Sequence, residues 1–134
     1  MIKHLSVSLL CLSFLTACST SYGGKGLLGG IESEWLDGNT LQVDTRTNGL
    51  TSADRTLEMT TLWIAEEALK KDYAYFVVED FDGVQTFGGG RPGVVVNTKA
   101  IMYKDLPTDI NGKKFISVEK VISELGPKYI EETN

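Results

Sequence analysis

Tyr73-Ala74-Tyr75-Phe76-Val77-Val78-Glu79-Asp80-Phe81 is the most strand-like stretch of this 134-residue chain, because aromatic and β-branched residues fill it almost without a break. Ala74, Phe76 and Val78 fall on one face, Tyr73, Tyr75 and Val77 on the other. With both faces partly apolar, the strand belongs inside a sheet, not at its edge. Downstream, Gly83 and Gly88-Gly89-Gly90-Arg91-Pro92-Gly93 supply a loop, and residues 94–103 another strand. Upstream, Ala53, Leu57, Thr61, Ile64, Ala65 and Ala68 recur at three- and four-residue steps, widened by Leu62 and Leu69, and predict a helix over 53–71. Thr51 or Ser52 can cap it, Asp54 and Glu58 suit its positive end, and Lys70 and Lys71 its negative end.

Further out, residues 31–35 and 40–47 read as two strands joined by the turn Leu36-Asp37-Gly38-Asn39. On the other side, residues 106–114 are irregular, and Ser117 caps a short helix whose Val118, Val121, Ile122 and Leu125 repeat at i, i+3, i+4 and i+7. Gly126 and Pro127 are expected to stop it. The pattern predicts an α+β fold over residues 31–126: an antiparallel sheet of about four strands in the order β-β-α-β-β-α. One long helix lies on one face, a short C-terminal helix follows, and residues 127–134 form a polar tail.

The start of the chain has a different character. Lys3 makes a short positive region, and residues 5–14 form an apolar run of about ten, well below the roughly 20 needed to cross a bilayer. Leu15-Thr16-Ala17-Cys18 follows at once. That order resembles the lipobox of bacterial lipoproteins. The resemblance implies that residues 1–17 are a removed signal peptide, with Leu15, Thr16 and Ala17 read by the signal peptidase. It also implies that Cys18 carries a diacylglycerol on its sulfur and an acyl chain on its new amino group, with no other cofactor. Buried methylenes at about 0.8 kcal/mol each would then hold the protein to the membrane. Ser19, not aspartate, follows the cysteine, which under the same family's sorting rule implies the outer membrane, facing the periplasm. Residues 18–30 include STSYGGKGLLGG, and its glycines predict a flexible tether of about 20 Å.

Removing residues 1–17 would leave 117 residues, enough for one core, and takes the net formal charge from −5 to −6 because Lys3 is the only charged side chain lost. Such an acidic chain repels phosphate backbones, so nucleic acid is not expected as a partner. Of the two cysteines, Cys11 leaves with the signal and Cys18 is acylated; the single histidine, His4, also leaves. A mature chain without histidine or a free thiol lacks the parts of a Ser-His-Asp or Cys-His mechanism and of the usual zinc shell, so neither catalytic nor metal residues are expected.

Several short motifs follow one another in an order that resembles the small bacterial lipoproteins of the CC0125/CC1285 family. They are Asn48-Gly49-Leu50-Thr51-Ser52, the helix with Ala65-Glu66, the step from Tyr73 to Phe76, the strand with Ile101-Met102, and the last helix from Val118 to Leu125. The chain departs from that pattern at Trp63, where a basic residue is common, and at Asp72, where glycine usually precedes the tyrosine. The family brings a fold and a location, and no activity.

Gly88, Gly90 and Gly93 fit G-x-G-x-x-G, but a strand follows where a dinucleotide site needs a helix, so a hairpin loop is expected. Glu79, Asp80 and Asp82 lack the ligand spacing of a calcium loop. Glu66 and Glu67 point about 100° apart on a helix and cannot flank one glycosidic bond together. Trp63 and Met59 lie off the apolar stripe and form a candidate partner surface, unless the terminal segment or Trp35 covers them. The expected function is a non-catalytic, lipid-anchored binding or scaffolding module that meets another envelope protein. The alternative is a small carboxylate-dependent enzyme acting on glycan or peptidoglycan.

Overall fold

The computed structural model describes residues 20–26, 29–88 and 91–130. Its elements run β1 (Gly29–Trp35), β2 (Thr40–Thr47), α1 (Ala53–Lys70), β3 (Tyr75–Gly88), β4 (Arg91–Tyr103), β5 (Ile116–Ser117) and α2 (Val118–Ile130). The fold is α+β, as the sequence predicts, with five strands in place of about four. The sheet order is β1-β2-β4-β3-β5, every neighbouring pair antiparallel. β3 is interior where β5 and β4 flank Tyr75 and Phe76. The fifth strand is the two-residue segment just ahead of α2, too short to leave a periodic signal.

Between β1 and β2, Asp37 Oδ1 accepts hydrogen bonds from the backbone N–H of Asn39 (3.1 Å) and Thr40 (2.9 Å). These donors hold the Asp37 carboxyl below its ordinary range. β3 and β4 pair much further than expected, through Gly83 and up to Gly88 and Arg91. A bulge between Glu79 and Asp82 absorbs the break in alternation, with Asp80 at φ 48°.

Helix α1 packs on one face of the sheet, but rotated from the predicted stripe. Thr56, Met59, Thr60, Leu62, Ile64, Ala65 and Ala68 are buried, while Leu57 and Leu69 are exposed. The cause is a threonine seam. Thr45 Oγ1 of β2 lies 2.8 Å from Thr60 Oγ1, and Thr47 Oγ1 lies 2.9 Å from Thr56 Oγ1. Thr56 and Thr60 already donate to the carbonyls of Ser52 and Thr56, so Thr45 donates across the seam, while the Thr47 hydroxyl also has Val94 O within 3.4 Å. Hydroxyls paired this way are buried at little cost and take positions a hydrophobic pattern assigns to leucine.

α1 ends in a Schellman motif: Tyr73 N–H donates to Ala68 O (3.0 Å) and Asp72 N–H to Leu69 O (3.1 Å). Asp72 takes φ 60°, the left-handed conformation that favours glycine.

Two expected boundaries move. α2 runs through Gly126 and Pro127 to Ile130, so the domain does not end at 126, and Tyr129 of the expected polar tail is fully buried. Proline usually excludes helix at the residue before it by striking that residue's Cβ, and Gly126 has none. The expected tether is also partly folded. Thr20 and Tyr22 are buried, Ile31 N–H donates to Gly23 O (2.9 Å), and Gly26 and Gly29 exchange backbone hydrogen bonds. Residues 20–26 form a strap on the domain.

Candidate functional site

The aromatic residues of the strap and of α2 enclose the helix face that the sequence offers as a partner surface. Tyr22 meets Trp63 edge-on, with centroids 6.1 Å apart, and Tyr129 at 5.9 Å. Its hydroxyl donates to Glu66 Oε2 at 2.5 Å. Burial, then the Glu66 hydrogen bond and charge, push the Tyr22 hydroxyl's pKa up, so it stays protonated. Trp63 is half-buried and its Nε1 donates to Ser33 Oγ (2.9 Å), whereas Met59 is 0% exposed. Trp63 and Met59 therefore do not form an exposed pair: Tyr22 and Ser33 meet Trp63, and Met59 belongs to the core. Tyr22 and Tyr129 escape the sequence reading because one sits among glycines and the other beyond a Gly-Pro pair. An aromatic in each otherwise polar or glycine-rich segment is the signal that could have found them.

Beside Tyr129, Glu58 Oε2 accepts from Lys128 Nζ (2.6 Å) and Tyr129 Oη (2.5 Å). The Lys128 hydrogen bond first, then that of Tyr129, holds the Glu58 carboxyl below its ordinary range. The Arg55 guanidinium lies 5.0 Å from the Tyr129 ring centroid. This cluster joins the start of α1 to the end of α2. Its depression of about 280 Å³ is lined by Ser52, Asp54, Arg55, Glu58, Lys128 and Tyr129, of which Glu58 is already engaged by Lys128 and Tyr129.

The larger concavity, about 530 Å³, opens at the far end of α1. Leu69, Tyr73, Tyr75, Val118 and Ile122 give it apolar walls, and Asp72, Glu119, Ser117 and Ser123 its polar groups. Three chain features build it. The left-handed turn at Asp72 redirects the chain from helix to strand, β5 pairs with the start of β3, and Val118 N–H donates to Ala74 O (3.0 Å), which sets α2 against that strand. Tyr73 is fixed by donating its hydroxyl to Gly38 O (2.7 Å) and by stacking on Trp35, with centroids 6.2 Å apart. Lys71 Nζ sits 3.9 Å from the centre of the Trp35 ring.

The other sequence candidates are placed apart. Glu66 accepts from Tyr22 while Glu67 pairs with Lys70 at 2.6 Å, so the two do not converge. Glu79 pairs with Lys113 (3.3 Å) and Asp80 with Lys99 (3.6 Å), and the described residues contain no group of three or more metal-ligating side chains. Gly88 and Gly93 belong to paired strands of the β3–β4 hairpin, and a strand, not a helix, follows. Leu15, Thr16, Ala17 and Cys18 lie outside the described residues. No described helix is long and apolar enough to cross a membrane. Comparison with protein-family models, curated proteins and solved structures gives no match.

Proposed function

We propose that the protein is a lipid-anchored envelope lipoprotein of the outer membrane, periplasm-facing, acting as a non-catalytic binding or scaffolding module. The observation that carries the anchor is Leu15-Thr16-Ala17-Cys18 directly after the ten-residue apolar run. Mass measurement of the native protein tests it: the expected product begins at Cys18 with a diacylglyceryl sulfur and an acylated amine. An intact Met1 with an unmodified thiol would overturn it.

The binding role rests on the 530 Å³ groove, whose apolar walls at Tyr75 and Ile122 are half-exposed over a buried Val118 and beside an exposed Leu69. Its occupant is a segment of another envelope protein. With a photo-reactive residue in place of Ser123, that protein should cross-link in intact cells, and Leu69→Arg, at an exposed position of the groove, should abolish the product while the thermal midpoint holds. A product unchanged by Leu69→Arg would show that the groove does not bind that protein.

Asp72 and Glu119 on the groove's wall support a second reading, a carboxylate-dependent reaction on glycan or peptidoglycan. It requires glycan cleavage that Asp72→Asn or Glu119→Gln eliminates. Cleavage surviving in both variants would dismiss it.

A further inference from the structure

The folded strap changes what an acylated Cys18 would do to the domain. Thr20 is 1% exposed and held on three sides: its N–H donates to Thr51 Oγ1 (2.8 Å), its hydroxyl accepts from Asn48 N–H (2.9 Å), and its carbonyl accepts from Arg55 Nη2 (3.5 Å). Only two residue steps separate Cys18 from this fixed point. Two steps of chain span at most about 7 Å, against the roughly 20 Å of a free tether. The turn that grips Thr20 also presents Leu50, which is 61% exposed. At the same end, β3 and β4 continue beyond the last β2 pair, Thr47 with Val94, as far as Gly88 with Arg91.

We infer that the Asn48-Gly49-Leu50-Thr51 turn is a membrane-docking surface: the bilayer carrying the Cys18 acyl chains meets this corner, and Leu50 enters its interface. The orientation follows from the two-residue connection between Cys18 and the fixed Thr20. It rests on the lipoprotein reading above. The groove at Leu69 and Asp72 then lies at the opposite end of an 18-residue helix, about 27 Å further from the lipid.

The acylated chain offers a clean probe, because Cys11 is removed with the signal and the Cys18 sulfur is occupied, so one introduced cysteine is the sole free thiol. Leu50→Cys and, in the β1–β2 turn at the other end, Leu36→Cys place a fluorophore at exposed positions that leave the core intact. Each lipidated protein is bound to vesicles of phosphatidylethanolamine and phosphatidylglycerol containing a lipid-borne quencher. Quenching at position 50 should exceed that at position 36 several-fold. A Gly-Ser insertion of about twelve residues between Ser19 and Thr20 should remove the difference while the protein still floats with the vesicles. Equal quenching at the two positions in a lipidated, floating protein without the insertion would overturn the orientation and leave the lipoprotein reading standing. A difference that survives the insertion would show that the short connection does not set the orientation. A protein that carries no lipid by mass would overturn both.

Discussion

Three single residues carry testable energetics. Glu58 is held below its ordinary value of about 4.3 by Lys128 and Tyr129. A depressed folded value means that its contribution is complete above the unfolded value and is lost as pH falls through the folded one. In urea titrations the wild type should lose more stability between about pH 5 and pH 3 than Glu58→Gln, which should itself be weaker by about 1 kcal/mol near neutrality. Tyr22 has the opposite sign. Its hydroxyl is favoured in the neutral form, so its contribution holds below the unfolded value of about 10 and declines as pH rises above it. Tyr22→Phe should cost about 1 kcal/mol and soften that alkaline decline. At Asp72, φ 60° strains any side chain, so Asp72→Gly should raise stability by about 0.5–1 kcal/mol in the same denaturant assay.

At the scale of elements, the contact of α1 with β2 is decided by hydroxyl pairs. Thr60→Val leaves Thr45 without its acceptor and should cost about 1–3 kcal/mol, whereas Thr45→Val with Thr60→Val should recover much of the loss. A double mutant as unstable as the sum of the singles would mean that packing, not the hydrogen bond, holds the seam. The last turn of α2 depends on Tyr129, which fills the space between Tyr22, Arg55 and Glu58. Tyr129→Ala should cost about 3–5 kcal/mol and expose the amides after Gly126 to hydrogen exchange. Unchanged protection there would show that the helix continues past Pro127 without this anchor.

Across the whole molecule, the strap and the end of α2 meet over α1, where Tyr22 touches both Trp63 and Tyr129. β1, β2, α1, the start of β3 and the start of α2 were legible because each announces itself within a few residues: alternating apolar positions, an Asp-Gly turn, a serine cap, a helical repeat. The lipobox resemblance is equally local, being four residues behind an apolar run. The candidate groove was not legible. Its walls come from Leu69, Tyr75 and Ile122, residues that meet only when β5 pairs with β3 and α2 folds back over it. The sequence by itself determined the identity and order of β1, β2, α1, the cores of β3 and β4, and the start of α2, since these follow from short-range periodicity and capping. Tertiary structure alone decided which face of α1 is buried, how far α2 runs, and that residues 20–26 are part of the domain. In each case a distant partner, Thr45 for Thr60, Glu58 for Tyr129 or Thr51 for Thr20, supplies the hydrogen bond that makes burying a polar or glycine-flanked segment favourable.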